Sequence, residues 1–249
     1  MSSAACHPIR YLTFTDRGII MEFGDAISPE INARVRGMYA AVSQAGIPGI
    51  VAVTPTYRSL TIEYCPGKIR HAQMVEALKA LESNIGQMEL PSPNLLIVPT
   101  LYGGEYGPDM HTVMEKNGLT QEEVVSIHAG TNYLVYMLGF TPGFSYLGGM
   151  DERIETPRLS TPRQMISAGS VGIAGKQTGA YSIDSPGGWQ LIGRTPIKLY
   201  DPYRESPILH KAGDYIRFEA IDQAEFDRIA KEVSEGSYRY RYAPLKGGS

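Results

Sequence analysis

This sequence of 249 residues has few cysteines, a single tryptophan and a small net charge. The two cysteines, Cys6 and Cys65, form no CxxC pair and lie at no metal-ligand spacing from a histidine, which argues against a zinc site. A net charge of −3 offers no electrostatic basis for binding nucleic acid or an anionic membrane surface. No segment approaches the roughly 20 apolar residues of a membrane helix, and the N-terminal residues lack the apolar core of a signal peptide, so we expect a cytoplasmic protein.

Strand and helix patterns alternate in the first part of the chain. Ser28 is the expected N-cap of a helix that has Pro29 in its first position and ends at Gly46. The other patterns predict strands over 9–16 and 18–24, two strands within 49–65, a second helix over 68–81 and a strand over 94–102. Two helices on one face of an antiparallel or mixed sheet fit this order, which predicts a small N-terminal α/β sandwich domain over residues 1–92.

The pattern changes after that boundary. Residues 107–118 predict a helix, and Thr120 with Glu123 forms the capping box of another that runs to about His128. Between 132 and 207, glycine and proline recur every few residues with short apolar runs between them. Short strands separated by regular turn signals are typical of a closed or nearly closed β-barrel.

The C-terminal part completes the predicted fold. A strand over 214–221 is followed by a helix that begins after Asp222, and the tail from residue 237 onward is left unassigned. The predicted class is therefore α+β, with a β-barrel domain over residues 93–249 that carries a short helical insert at its start.

One glycine-rich segment, GIAGKQTG over residues 172–179, superficially resembles a phosphate-binding P-loop. The motif requires a glycine five positions before Gly175, where Ser170 stands, and a serine or threonine after Lys176, where Gln177 stands. The flanking residues also have strand patterns, whereas a P-loop leads into a helix. We therefore expect Lys176 to lie in a turn, where it either contacts an anion by another geometry or faces solvent.

Five longer motifs carry a family resemblance. They read YGGEYGPD, VYMLGFTPGFSYLGG, TPR (twice), AGSVGIAGKQTGAY and SPGGWQLIGRTP. Together they resemble the allophanate hydrolase subunit 1 family, and the resemblance covers most of the chain up to 199–202. Relatives usually have Val-Pro-Ala-Gly-Ser where residues 166–170 read Ile-Ser-Ala-Gly-Ser, so the proline that would fix the backbone is missing here.

The resemblance implies both a fold and a function. The implied fold is a small α/β domain followed by a cyclophilin-like β-barrel. The implied activity is that of a component of the ATP-dependent 5-oxoprolinase, which hydrolyses 5-oxoproline to glutamate with ATP, together with magnesium, as co-substrate. The implied partners are the other two 5-oxoprolinase components, the C subunit from the allophanate hydrolase subunit 2 family and the A subunit.

Other functions stay open at this point. Members of the same family include a KipI-type inhibitor of a sporulation histidine kinase, and fused relatives form part of urea carboxylases, so a urea carboxylase- or allophanate hydrolase-associated role is an alternative. A prolyl isomerase would rest on the fold alone.

Opening an unstrained lactam with ATP requires donors that face anionic oxygens and walls that exclude water. The glycine-rich loops allow close backbone approach to a ligand. We predict His128, Lys176 and Arg194 as catalytic residues, and no metal ligands. The predicted binding residues lie in the same loops and are Gly139, Phe140, Pro142, Gly143, Phe144, Gly175, Gln177, Thr178, Ser185, Gly187, Gly188 and Trp189, with Tyr146 as a further wall.

The segment SPGGWQLIGRTP over 185–196 contains the single tryptophan. Gly187 and Gly188 are expected to turn the chain tightly and to set Trp189 across the mouth of the barrel as one wall of a cleft. Arg194 would then direct its fork of N–H donors at a carboxylate or phosphate. The alternative is that Trp189 fills the core and Arg194 forms a surface ion pair.

Two further polar residues have open roles. His128 lies at the expected end of a helix, where a capping or hydrogen-bonded structural histidine is as plausible as a catalytic one. Asp184 orients a base, binds a metal together with ATP, or is a turn aspartate. The other histidines lie in contexts that indicate surface positions: His7, His71, His111 and His210.

Overall fold

The structure, a computed structural model, describes residues 8–83, 85 and 92–245. Cys6 and His7 lie outside the described residues. The chain divides into two compact units, Met1–Ser92 and Pro93–Ser249. Across the described residues, no helix has the length and apolar character needed to cross a membrane.

The first unit is a four-stranded antiparallel sheet with two helices. The elements are β1 (Arg10–Thr13), β2 (Gly18–Glu22), α1 (Pro29–Ala45), β3 (Ile50–Pro55), β4 (Ser59–Tyr64) and α2 (His71–Glu82). The strands follow the order β1-β2-β4-β3 in the sheet. Alternate residues of β2 and β4 are buried against Val35 and Met38 of α1 and Met74 and Leu78 of α2. The predicted arrangement of helices on a sheet is confirmed, with antiparallel pairing throughout.

Local contacts determine where the two helices of this unit begin and where α1 ends. The Ser28 hydroxyl accepts a hydrogen bond from the Ile31 amide at 3.1 Å, and α1 ends at Gly46 with φ +56°, as predicted. Helix α2 begins at His71, three residues later than expected. The reason is a turn in which the amides of Lys68 and Ile69 donate to the Cys65 carbonyl, so the chain is not yet helical there.

The second unit is a nearly closed barrel with helices. The elements are β5 (Leu95–Tyr102), α3 (Met110–Asn117), α4 (Gln121–Ala129), β6 (Tyr133–Leu138), β7 (Ser145–Gly148), β8 (Arg163–Ile166), β9 (Ser170–Ala174), β10 (Gln177–Ala180), β11 (Ser185–Gly187), β12 (Gln190–Arg194), β13 (Tyr215–Ala220), α5 (Gln223–Glu235) and β14 (Tyr242–Ala243). The central sheet follows the order β10-β9-β12-β5-β13-β6-β7, and the end strands β10 and β7 lie against each other. The α+β class with a β-barrel is confirmed.

Helix α4 has the predicted capping box. The Thr120 hydroxyl accepts from the Glu123 amide at 3.2 Å, and the Glu123 carboxylate accepts from the Thr120 amide at 2.8 Å. Part of the tail from residue 237 onward, which the sequence analysis left unassigned, forms strand β14, which pairs with β5 in antiparallel register. The Tyr242 hydroxyl also donates to the Leu209 carbonyl at 2.8 Å.

His210 is buried, contrary to the expectation of a surface position. Its exposed fraction is 5%, because the loop after β12 folds back on itself through a bridge between Tyr200 and Ile208. Neither ring nitrogen of His210 has a hydrogen-bond partner among the described residues. Burial lowers the pKa of His210 from 6.5 to about 4, so the ring is neutral at pH 7. His71 and His111 are exposed, as expected.

Candidate functional site

A groove of about 360 Å³ lies where the end of β12 meets α5 in the second unit. Segments that are far apart in the sequence supply its lining: Tyr106, Ala168, Gly169, Ser182, the residues 194–198, Phe226 and Ala230. None of these described lining residues carries a carboxylate, whereas Arg194 and Lys198 are cationic, with the Lys198 ammonium 3.9 Å from the carboxylate of Asp201 outside the lining. The groove therefore favours an anionic ligand, and Phe226 with Ala230 gives it an apolar side.

Arg194 is held in the groove at two points. Its Nε donates to the Ala168 carbonyl at 3.2 Å, and its guanidinium carbon lies 5.7 Å from the centroid of the Tyr106 ring. Within residues 8–83, 85 and 92–245, no carboxylate forms an ion pair with Arg194. The surface ion pair that the sequence left open for Arg194 is therefore not observed. The terminal nitrogens of its guanidinium remain available to a ligand.

The loop that orients Arg194 is fixed without a proline. The Ala168 amide donates to Asp184 Oδ1 at 2.7 Å, so Asp184 secures the peptide next to the carbonyl that receives Arg194. Gly169 has φ +85°, and a Cβ at this position would lie 2.5 Å from the Thr195 carbonyl oxygen. These contacts fix the backbone although residue 167 is serine and not proline.

Lys176 lies in the turn of a hairpin and outside the groove. Strands β9 and β10 pair antiparallel with Ala174 opposite Gln177, which leaves Gly175 and Lys176 as a two-residue turn. Gly175 has φ +58°, and the Lys176 ammonium contacts the exposed Glu152 carboxylate at 2.7 Å. The rejection of a P-loop is confirmed, since the turn leads into β10 and not into a helix.

His128 is fully buried within the barrel and makes three hydrogen bonds. Its Nε2 lies 2.7 Å from the Thr178 hydroxyl, its Nδ1 lies 2.7 Å from the Tyr102 hydroxyl, and its carbonyl accepts from the Tyr133 hydroxyl. The Thr178 hydroxyl donates to the Gly172 carbonyl at 3.0 Å, so it accepts from the imidazole. We therefore assign the proton to Nε2, with Nδ1 accepting from Tyr102.

Burial also sets the charge of this histidine. Desolvation lowers the pKa of His128 from 6.5 to about 3, so the imidazole is neutral at pH 7. His128 and Thr178 are not among the residues that line the groove. This geometry favours the structural role that the sequence left open, and it separates both residues from Arg194.

Trp189 is packed in an aromatic cluster and does not wall the groove. Its exposed fraction is 6%, and its ring lies 5.6 Å from Phe144 and 6.0 Å from Tyr181, both in edge-to-face geometry. Gly187 does not form the expected tight turn either, because it belongs to β11. A Cβ there would lie 2.2 Å from the Tyr181 hydroxyl, so close packing explains this glycine. Ser185, on the same strand, is buried.

The loop 139–144 holds an aromatic side chain in an unusual conformation. Phe140 has φ +67°, and the Thr141 amide donates to the Gly139 carbonyl at 2.8 Å, which defines a γ-turn of the rare, positive-φ kind. Phe140 is nevertheless 60% exposed. Its ring rests edge-on against Phe144 at 5.5 Å.

The surroundings of this γ-turn enforce the strain. The Ser182 hydroxyl donates to the Pro142 carbonyl at 2.6 Å, and Ser182 also lines the groove. Gly143 has φ +76°, and a Cβ there would lie 2.7 Å from the Cβ of Tyr200. The loop with Phe140 is thus anchored next to the groove, and such imposed strain is characteristic of functional segments.

Sequence reasoning missed one partly buried ion pair, between Arg163 and Asp109. Arg163 Nη2 contacts Asp109 Oδ1 at 2.7 Å, and Asp109 Oδ2 accepts from the Leu191 amide at 2.7 Å. This carboxylate ties β8 to β12 and to the start of α3. The motifs YGGEYGPD and TPR contain both residues, but only the fold shows that they meet.

Comparison with known proteins identifies the family of the chain. Residues 9–210 match the family model described as "Carboxyltransferase domain, subdomain C and D". The 5-oxoprolinase B subunit of Bacillus subtilis is 39% identical over 227 residues, which cover 87% of this chain and 95% of that protein. The 5-oxoprolinase B subunit of Escherichia coli O157:H7 is 40% identical over 172 residues, which cover 69% of this chain and 78% of that protein.

A solved structure agrees in fold. The crystal structure of TTHA0988 superimposes with a TM-score of 0.74 at 36% identity and covers 83% of this chain, while this chain spans 40% of the length of TTHA0988. These matches confirm the resemblance that the sequence motifs carry to the family that includes the 5-oxoprolinase B subunits. The chain belongs to the family of the carboxyltransferase domain, subdomains C and D.

Proposed function

We propose that this chain is the B subunit of 5-oxoprolinase, a component of the complex that hydrolyses 5-oxoproline to glutamate. The observation that carries the proposal is the 39% identity to the Bacillus subtilis B subunit over 95% of that protein. Three relatives with 39%, 40% and 49% identity share this name, which favours it over a kinase inhibitor or a urea carboxylase-associated protein.

The Arg194 groove is the proposed substrate site. 5-Oxoproline has one carboxylate on a small ring, and a guanidinium fork fits a carboxylate with two parallel hydrogen bonds. Lys198 adds a second positive charge, and Phe226 offers an apolar contact to the ring methylenes. The groove thus matches the substrate in charge and in its mixture of polar and apolar surface.

The groove contains donors but no complete catalytic apparatus. The described lining residues include no histidine, cysteine or carboxylate, and the Ser182 hydroxyl already donates to Pro142. Water therefore lacks a general base in this groove. We assign that base, and the site for ATP with magnesium, to the partner A and C subunits, since the turn at 175–176 lacks P-loop geometry.

The chain alone is therefore expected to form no glutamate from 5-oxoproline and ATP. The physical reason is that no general base lies beside the described donors to activate water or a hydroxyl. Glutamate released by the purified chain is measured by an enzymatic assay, with a mixture of the A, B and C subunits as the positive control. Full turnover by the isolated chain would contradict the assignment.

The exposed Phe140 ring is the proposed anchor for the C subunit. Rigid aromatic side chains are enriched at interface centres, and the γ-turn holds this ring in place before binding. Phe140→Gly removes the ring and relieves the positive-φ strain. We expect the variant to bind the C subunit about 10- to 100-fold more weakly, because an interface anchor contributes about 2 kcal/mol, with no loss of thermal stability.

The matched control is Tyr203→Ser, because Tyr203 is 96% exposed elsewhere on the same unit. Binding of each variant to the immobilised C subunit gives the dissociation constants. An unchanged constant for Phe140→Gly, or an equal loss for both variants, would show that Phe140 is no anchor.

A further inference from the structure

The YGGEYGPD motif places one aromatic side chain in the groove. Gly103 and Gly104 have φ of +72° and +54°, and they lead into a short 3₁₀ turn over Gly104–Tyr106. The Gly103 amide donates to the Ile192 carbonyl at 2.9 Å, and a Cβ at Gly107 would lie 2.4 Å from the same oxygen. This turn is therefore fastened to β12, the strand that ends at Arg194.

The ring of Tyr106 contacts one aromatic and one cationic side chain. Phe226 of α5 stacks on it with a centroid distance of 4.9 Å and an interplanar angle of 23°. The Arg194 guanidinium lies over it at 5.7 Å. The ring thus joins three separate segments and fixes the guanidinium through a cation–π contact.

The Tyr106 hydroxyl has no hydrogen-bond partner within the part of the chain that the structure describes. Phe226 and Arg194 contact the ring, so the hydroxyl is the group of this side chain left for a ligand. A phenol O–H in the same groove as Arg194 and Lys198 adds a neutral donor to two cationic ones.

We propose that Tyr106 binds the substrate carboxylate together with Arg194, its hydroxyl donating a hydrogen bond to the anion while its ring holds the guanidinium in position. The inference rests on the proposed function, because it takes the anion to be 5-oxoproline. It goes further by adding a second binding group and by giving the glycine pair of YGGEYGPD a role: the turn sets Tyr106 beside Arg194.

Two substitutions separate the roles of hydroxyl and ring. Tyr106→Phe keeps the ring and loses the donor, so KM for 5-oxoproline should rise about tenfold, equivalent to about 1.4 kcal/mol, while kcat stays within about twofold. Tyr106→Leu loses the donor and the platform of Arg194, and kcat/KM should fall about 100-fold. Tyr203→Phe, at an exposed position, is the control and should keep wild-type constants.

The experiment uses the complex of this chain with the A and C subunits, and the thermal midpoint of each variant verifies its fold. A wild-type KM for Tyr106→Phe in an active complex would overturn the inference and leave the proposed function intact. If the wild-type complex does not consume 5-oxoproline, the proposed function fails. The inference is then decided by calorimetric titration with inorganic phosphate: tenfold weaker binding by Tyr106→Phe supports an anion site, and equal binding refutes it.

Discussion

Arg194→Lys is expected to lower kcat/KM for 5-oxoproline by about 100-fold in the assembled complex while the chain stays folded. Lysine keeps the charge but cannot reproduce the planar fork, the stacking on Tyr106 or the Nε bond to Ala168. Loss of a charged hydrogen bond costs about 1.5–3 kcal/mol, and each 1.4 kcal/mol corresponds to a factor of ten. Steady-state kinetics and the melting curve of the variant complex are measured together.

The matched control for this substitution is Arg153→Lys. Arg153 pairs with Asp151 on the surface of the same unit at 2.7 Å and does not line the groove. We expect this variant to keep wild-type kinetics. Wild-type kinetics from Arg194→Lys as well would remove Arg194 from the substrate site.

His128→Ala is expected to destabilise the second unit by about 3 kcal/mol, through a cavity and a lost acceptor for the buried Tyr102 hydroxyl. Urea unfolding is followed by the fluorescence of Trp189, the single tryptophan, which lies in this unit. His111→Ala is the control, since His111 is exposed, and should change stability by less than about 0.5 kcal/mol. A loss of turnover without a loss of stability would instead give His128 a role in the chemistry.

Two buried histidines in the described part of the chain, His128 and His210, predict a pH dependence of folding. Burial holds the pKa of His128 at about 3 and that of His210 at about 4, whereas both titrate near 6.5 when unfolded. Below pH 6.5 the unfolded chain therefore binds more protons than the folded chain. The stability present above this pH is lost as the pH falls, down to about 4 for the contribution of His210 and about 3 for that of His128. Each histidine contributes a slope of about 1.4 kcal/mol per pH unit in that window, which urea unfolding at a series of pH values measures.

Features fixed by neighbouring residues were predictable from the sequence. Ser28 and Pro29 mark the start of α1, and Thr120 with Glu123 marks the start of α4, because caps involve residues only three apart. The Gly175 turn was likewise separable from a P-loop by spacing alone. The motif resemblance then supplied the family, which no local pattern carries.

Features that depend on distant contacts were not predictable. Whether Trp189 is a wall or a core residue depends on Phe144 and Tyr181, which reach it only in the folded barrel. The surroundings of His128 depend equally on Thr178, 50 residues away. The role of Arg194 in binding an anion stays a prediction. The contact of its guanidinium with the Tyr106 ring was not predicted, because the only sequence signal for Tyr106 is the glycine-rich turn before it.

The most direct test of the proposed function compares two mixtures. The A and C subunits are incubated with 5-oxoproline, ATP and magnesium, with and without this chain, and glutamate and ADP are measured together. We predict coupled release of glutamate and ADP by the complete mixture and no glutamate when this chain is omitted. Glutamate formation at the same rate without this chain, or no formation by the complete mixture, would contradict its assignment as the B subunit of 5-oxoprolinase.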